Sequence, residues 1–134
     1  MHPLPGFTDY PRVACYPNGY DELLADLTYT DIHGMDHVIP KGFLTNGADV
    51  PRLLWFLIGH PRDGHLYPCA VVHDWYCVEA RRLLKADHLD RARQMRLDGD
   101  RLFAEILRRA DLPLVKVWAM YRGVRLWAAA GGLA

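Results

Sequence analysis

The first third of the chain alternates apolar and polar positions in the manner of β-strands. Apolar side chains recur at every second position, at Leu23, Ala25, Leu27 and Tyr29. Because successive side chains of a strand point to opposite faces of its sheet, this spacing predicts a half-buried strand over residues 23–29. A hairpin turn centred on Gly34 and a return strand over residues 37–40 are predicted to follow. Residues 12–48 are therefore expected to form a small antiparallel sheet or hairpin.

After residue 48 the apolar positions follow the spacing of α-helices. Asp49 is a predicted N-cap for a short first helix that has Pro51 in its first turn. The four predicted helices cover residues 49–58, 68–84, 87–110 and 114–130. The sequence thus predicts an α+β fold, in which a small sheet precedes a bundle of about four helices over residues 49–131, within one domain over residues 1–134.

The composition narrows the class of protein without identifying a partner. Of the 134 residues, 51% are hydrophobic and 24% are charged, which excludes a disordered or collagen-like chain. Lys plus Arg and Asp plus Glu number 16 each, so no overall charge favours nucleic acid or anionic lipid. Acidic residues dominate in residues 1–67 and basic residues in residues 68–134. The two halves could therefore attract each other, or attract separate partners.

The sequence shows neither a signal peptide nor a membrane-spanning pattern. Its first residues lack the basic start and apolar run of a secretory signal. No stretch of 18 apolar residues occurs, so we expect no transmembrane segment. The most apolar region, residues 112–134, is interrupted by Lys116, Arg122 and Arg125 and is predicted to be an amphipathic helix.

The cysteines and tryptophans are expected to serve the core. Cys15, Cys69 and Cys77 show no CxxC or zinc-ligand spacing, which favours structural thiols over a disulfide or a metal site. The four tryptophans recur on the apolar faces of predicted helices, at Trp55, Trp75, Trp118 and Trp127. Core packing explains them better than stacking on nucleic-acid bases.

Adjacent His73 and Asp74 are the most informative local feature. They interrupt the apolar run of a predicted helix, and a buried ionisable group needs a partner. Such a group is a functional-site candidate, although structural networks have the same pattern. Asp100 is the second candidate, because it lies on the apolar stripe of the next predicted helix. His73, Arg125 and Tyr121 are its possible partners.

A glycine-punctuated loop over residues 42–49 is a third candidate. Thr45, Asn46 and Asp49 supply oxygen atoms that suit a hard cation such as calcium, while backbone N–H groups could instead bind an anion. The same residues also suit an ordinary turn. His33 and His37, on the predicted hairpin, could approach a metal together with His73. A series of arginines is predicted to form a solvated helical face, with a docking patch as the alternative, at Arg81, Arg82, Arg91, Arg93, Arg96 and Arg101.

Four motifs occur together in a recognisable order. They are Gly42-Phe43-x-Thr45-Asn46-Gly47-Ala48-x-Val50-Pro51-Arg52, Tyr67-x-x-Ala70-x-x-His73-Asp74, Asp100-x-x-Phe103 and Tyr121-x-x-Val124-Arg125. This order resembles a family of small phage and prophage proteins of unknown function, with the pattern GFxTDxASVPR, HDxLY, ADxxF and VR. The chain departs from that pattern at Asn46, Asp49 and Cys77, where the family usually has Asp, Ser and Tyr. The resemblance implies a phage or prophage origin and a location in the host cytoplasm or the virion.

A second resemblance implies a mechanism. The sequence His73-Asp74-x-x-Cys77 is similar to the HDxCY helix of secreted phospholipases A2. By that similarity His73 would be the general base, Asp100 the carboxylate that orients it, and Asp74 a ligand of a divalent cation. Asn46 and Gly47 would form the ion or oxyanion loop, and Tyr121 would support the base. With the oxygen atoms of residues 42–49 considered as well, the predicted metal ligands are Asp74, Asn46 and Asp49, with calcium favoured over zinc.

Two functional hypotheses follow from these residues. The first is a metal-assisted hydrolase of an ester or related bond, with a His-Asp site. The second is a virion or accessory protein that binds a phage or host protein, in which His73, Asp74 and Asp100 form a structural polar network. The sequence gives no strong signal for nucleic-acid binding.

Overall fold

Short strands precede long helices, in the α+β arrangement that the sequence predicts. The computed structural model describes residues 3–46, 50–51, 54–55 and 66–134. The elements are β1 (Val13–Cys15), β2 (Asp21–Leu23), β3 (Leu27–Thr30), β4 (Asp36–Ile39), β5 (Leu44–Thr45), α1 (Tyr67–Lys85), α2 (Leu89–Arg109) and α3 (Leu114–Ala130). The described residues therefore hold three helices rather than the predicted four, and most of the predicted helix over residues 49–58 lies outside them.

The strands form two small antiparallel sheets, and this corrects the prediction of one strand over residues 23–29. Leu23 pairs with Val13 in a sheet of order β1-β2-β5, whereas Leu27 pairs with Ile39 in the hairpin of β3 and β4. Between them the chain turns, and the Asp26 carboxylate accepts a hydrogen bond of 2.7 Å from the Lys41 backbone N–H. The odd-numbered apolar side chains still point into the core on both sides of this turn, and Leu23, Leu27 and Tyr29 are all buried.

The hairpin turn lies where glycine and aspartate predict it. Gly34 has a φ of 80°, a left-handed conformation that side chains other than glycine adopt at a cost. Asp31 Oδ1 accepts the backbone N–H groups of His33 and Met35 at 2.8 and 2.9 Å. The Asp31 side chain thus stabilises the turn by accepting hydrogen bonds from its backbone, as aspartate side chains commonly do in turns.

One hydrophobic cluster joins both sheets to all three helices. Its most deeply buried members include Tyr29, Ile39, Val71, Phe103, Ile106 and Met120. Cys69 and Cys77 are buried free thiols as predicted, whereas Cys15 is exposed. Trp118 and Trp127 are 63% and 50% exposed, so the prediction that they belong to the core is wrong.

Candidate active site

A histidine and an aspartate from neighbouring helices meet in the centre of the protein. His73 Nε2 on α1 lies 2.6 Å from Asp100 Oδ1 on α2. Both side chains have 0% of their surface exposed, and the His73 ring packs against Phe103 with centroids 4.7 Å apart. The contact is one of those that the sequence suggested for Asp100.

A glycine allows the two helices to approach closely enough for this contact. A Cβ atom at Gly99 would lie 2.4 Å from the Cβ of Tyr76, a separation far inside van der Waals contact. Gly99 immediately precedes Asp100, and Tyr76 lies one helical turn beyond His73. The absence of a side chain at Gly99 therefore determines how near the carboxylate lies to the imidazole.

Two arginines also bind the Asp100 carboxylate. Arg96 Nε donates to Oδ1 at 3.1 Å, and Arg125 Nη1 donates to Oδ2 at 2.9 Å. Arg96 is buried and also donates to the Val124 carbonyl at 3.2 Å, so its prediction as part of a solvated face is wrong. Its four-residue spacing from Asp100 on one helix is the signal that could have identified it. The network links α1, α2 and α3 through one carboxylate.

The network keeps Asp100 ionised, and this determines which ring nitrogen of His73 carries the proton in the hydrogen bond between them. Burial raises the pKa of Asp100, but His73, Arg96 and Arg125 outweigh it and the pKa lies below its ordinary value. An ionised carboxylate only accepts hydrogen bonds, so His73 Nε2 must carry a proton. In the neutral ring Nδ1 is then an acceptor, which is the form that a general base requires.

Asp74 binds strand β5, so part of residues 42–49, predicted to be a loop, forms a strand instead. Thr45 Oγ1 in β5 donates to Asp74 Oδ2 at 2.6 Å, and both residues are buried. Asn46, a predicted metal ligand, follows Thr45 directly in the chain. The structure thus places Asp74 against the residue that precedes Asn46. Asp49, the third predicted metal ligand, lies outside the described residues.

A second set of metal-donor atoms was not foreseen from the sequence. One ligand atom each from His73, Cys77 and Asp100 lies within 4.8 Å of the others, and Cys77 Sγ is 3.7 Å from His73 Nε2. Nitrogen, sulfur and oxygen donors together suit zinc. However, His73 and Asp100 are already hydrogen-bonded to each other, and the guanidinium groups of Arg96 and Arg125 already neutralise the Asp100 carboxylate. This donor set therefore does not fit a cation unless the hydrogen-bonded network is broken.

A separate polar chain connects the hairpin to α1. His37 Nδ1 lies 2.7 Å from the Tyr76 hydroxyl, and its Nε2 lies 2.8 Å from Asp31 Oδ2. The sequence suggests that His37 could approach a metal with His73, but both ring nitrogens of His37 form hydrogen bonds with Tyr76 and Asp31 instead. His33 is exposed on the turn. No hydrogen bond joins Tyr121 to Asp100 in the part of the chain that the structure describes.

The hydrogen bonds of Asp31 make the stability of the fold depend on pH in the acidic range. The hydrogen bond from His37, with those from Met35 and His33, lowers the pKa of Asp31 from 3.8 to about 2. Because the pKa of Asp31 is lower in the folded than in the unfolded state, its ionised carboxylate stabilises the fold at pH values above the unfolded-state pKa. This stabilisation is lost as the pH falls through the folded-state pKa of about 2. We expect the stability difference between wild type and Asp31→Asn to shrink between about pH 4 and about pH 2. Urea unfolding at several pH values measures it, and a pH-independent difference would contradict the assignment.

The chain belongs to a family of proteins of unknown function, DUF1353, whose model matches residues 21–124. Two curated relatives come from Sinorhizobium fredii and are described as uncharacterized proteins. Protein y4jT is 30% identical over 83 residues, which cover 62% of this chain and 25% of the relative. Protein y4iH is 38% identical over 83 residues, which cover 62% of this chain and 33% of the relative.

The matched region spans only a quarter to a third of those relatives. No solved structure matches the chain. Within the described residues, no helix has both the length and the apolar character needed to cross a bilayer.

Proposed function

We propose that this DUF1353 member is a metal-assisted hydrolase of an ester or related bond, of phage or prophage origin. The observation that carries the proposal is the hydrogen bond of 2.6 Å between His73 Nε2 and Asp100 Oδ1. It holds the imidazole in the tautomer whose Nδ1 can accept a proton. The order of the motifs along the chain supports the phage or prophage origin.

The chemistry follows from the positions of these groups. His73 Nδ1 takes a proton from water, and the resulting hydroxide attacks the ester carbonyl. The imidazolium then returns the proton to the leaving alkoxide, while Asp100 holds Nε2–H throughout. Asp74, Asn46 and Asp49 would hold calcium, which would polarise the carbonyl. Because His73 is buried, substrate reaches it only when the residues covering it move.

A second candidate function is favoured by the two arginines. Arg96 and Arg125 satisfy the Asp100 carboxylate together with His73, and fully satisfied buried networks specify one packing of the core. In that case the domain would act by binding a phage structural protein or a host protein, in the host cytoplasm or the virion, and the network would be structural.

Thermal unfolding of wild type and Asp74→Asn in EDTA, calcium, magnesium and zinc separates the two candidates. An ion at about 100 times its Kd stabilises a fold by about 2.7 kcal/mol, on the order of 10 °C in Tm. We expect calcium to raise the Tm of wild type but not of Asp74→Asn. The matched control is Asp90→Asn, an exposed carboxylate in the first turn of α2, which should respond as wild type does.

Two results would contradict the metal assignment. The first is a Tm that no ion changes in wild type, which favours the structural network. The second is a rise with zinc that persists in Asp74→Asn and is lost in Cys77→Ser. That result would assign the ion to His73, Cys77 and Asp100, the donor set that the hydrogen-bonded network disfavours.

A further inference from the structure

Helix α3 is apolar on two opposite faces. Its inner face is buried in the core, at Val117, Met120, Val124 and Ala128. Its outer face carries side chains that are 66%, 72%, 63% and 66% exposed, at Leu114, Val115, Trp118 and Leu126. At 100° per residue these four side chains fall within an arc of about 120° on the side opposite the core. Several large apolar side chains exposed on one helix face are typical of an interaction site.

The charge on this helix has one sign. Its charged residues are Lys116, Arg122 and Arg125, and it contains no aspartate or glutamate. Arg122 lies within the exposed apolar arc, with its guanidinium 5.7 Å from the centre of the Trp118 ring. Exposed tryptophan and leucine interleaved with basic residues are typical of helices that lie in a membrane interface.

A groove opens along one edge of the same face. It has a volume of about 810 Å³, and Leu114, Trp118 and Tyr121 of α3 line it opposite Glu105, Arg108 and Arg109 of α2. This volume lies within the range of pockets that hold small ligands. Glu105 also lines the groove, but its carboxylate accepts a hydrogen bond from the Tyr29 hydroxyl. The exposed guanidinium of Arg108 beside the apolar wall therefore suits an amphiphile with an anionic headgroup.

We propose that the outer face of α3, defined by Leu114, Val115, Trp118, Arg122 and Leu126, binds the surface of a membrane that contains anionic phospholipid. The apolar side chains enter the interface between headgroups and acyl chains, and Arg122 faces the lipid phosphates, since Arg125 is bound to Asp100. The groove beside the face receives part of one lipid. Charge complementarity favours this occupant, and the inference does not depend on hydrolysis at His73.

Cosedimentation with extruded vesicles tests the proposal. We expect the protein to bind phosphatidylcholine vesicles that contain about one-third phosphatidylglycerol, and to bind them about tenfold more tightly than pure phosphatidylcholine. Higher salt should weaken the binding, since it screens charges at the surface. Leu126→Ser and Arg122→Glu should each reduce the partition coefficient about tenfold or more.

The matched control is Leu24→Ser, because Leu24 is 50% exposed at the junction between β2 and β3. It should bind vesicles as wild type does. Three outcomes would overturn the proposal: no binding to the anionic vesicles, equal loss in Leu24→Ser and Leu126→Ser, or a wild-type oligomer that Leu126→Ser dissociates while vesicles do not bind. The last outcome would assign the face to contact between two copies of the chain.

Discussion

Asp100→Asn is expected to lower the free energy of unfolding by about 3–5 kcal/mol, the range measured when one partner of a buried ion pair is removed. Asparagine keeps the size of the side chain but removes the negative charge that Arg96 and Arg125 face. Arg96 is 4% exposed, so its guanidinium would lie in the core without a compensating charge. Arg125 reaches solvent and should lose less. Urea unfolding of the two proteins at neutral pH gives the difference.

A second substitution identifies the cause of that loss. If the uncompensated charge of Arg96 is responsible, Arg96→Met in the Asp100→Asn background should recover part of the stability, because the charge itself is then removed. Asp90→Asn, in the exposed first turn of the same helix, should lower stability by no more than about 1 kcal/mol, the loss expected for a negative charge at a helix N-terminus. A loss in the double variant equal to the sum of the single losses would contradict the explanation.

Gly99→Ala is the second substitution with a large expected effect. Alanine favours a helix over glycine by about 1 kcal/mol, but its Cβ would lie 2.4 Å from the Cβ of Tyr76. A Cβ atom cannot move without its backbone, so α1 and α2 must separate. Overpacking of this kind typically costs about 1–3 kcal/mol, and the cost rises when backbones must shift. We expect a net loss of about 2 kcal/mol, measured by urea or thermal unfolding.

Separation of the helices should also lengthen the contact between His73 and Asp100. The matched control is Gly131→Ala, because the nearest atom to a Cβ at Gly131 is 3.6 Å away. Its expected change in stability is within about 0.5 kcal/mol. A Gly99→Ala protein as stable as wild type would show that the helices tolerate a wider spacing, and would remove the role assigned to Gly99.

The sequence predicted those parts of the fold that depend on local periodicity. Helix α3 begins and ends at the predicted residues, and the hairpin turn lies at Gly34, because spacing and glycine conformation are local properties. The division between β2 and β3 was not predicted, since the same inward phase continues from Leu23 to Leu27 across a change of sheet. Only pairing with distant strands distinguishes the two sheets.

The residues of the candidate site could be predicted where the pattern along a single helix identified them. A carboxylate on an apolar stripe required a buried partner, which identified Asp100 and suggested His73 and Arg125. Arg96 was missed because an arginine series on one helix resembles a solvated face, and only tertiary packing shows that one member turns inward. The chain of Asp31, His37 and Tyr76 joins elements distant in sequence, and no local pattern marks it.

Initial rates of ester hydrolysis test the proposed role of His73. Wild type and His73→Gln would be compared on p-nitrophenyl butyrate and on phosphatidylglycerol in mixed micelles, with calcium and below the Tm of both proteins. Loss of a general base predicts a fall in kcat of about 100-fold or more, with Asp90→Asn unchanged. A folded His73→Gln that hydrolyses either substrate as fast as wild type, or a wild type that hydrolyses neither, would contradict the assignment of His73 as a catalytic base.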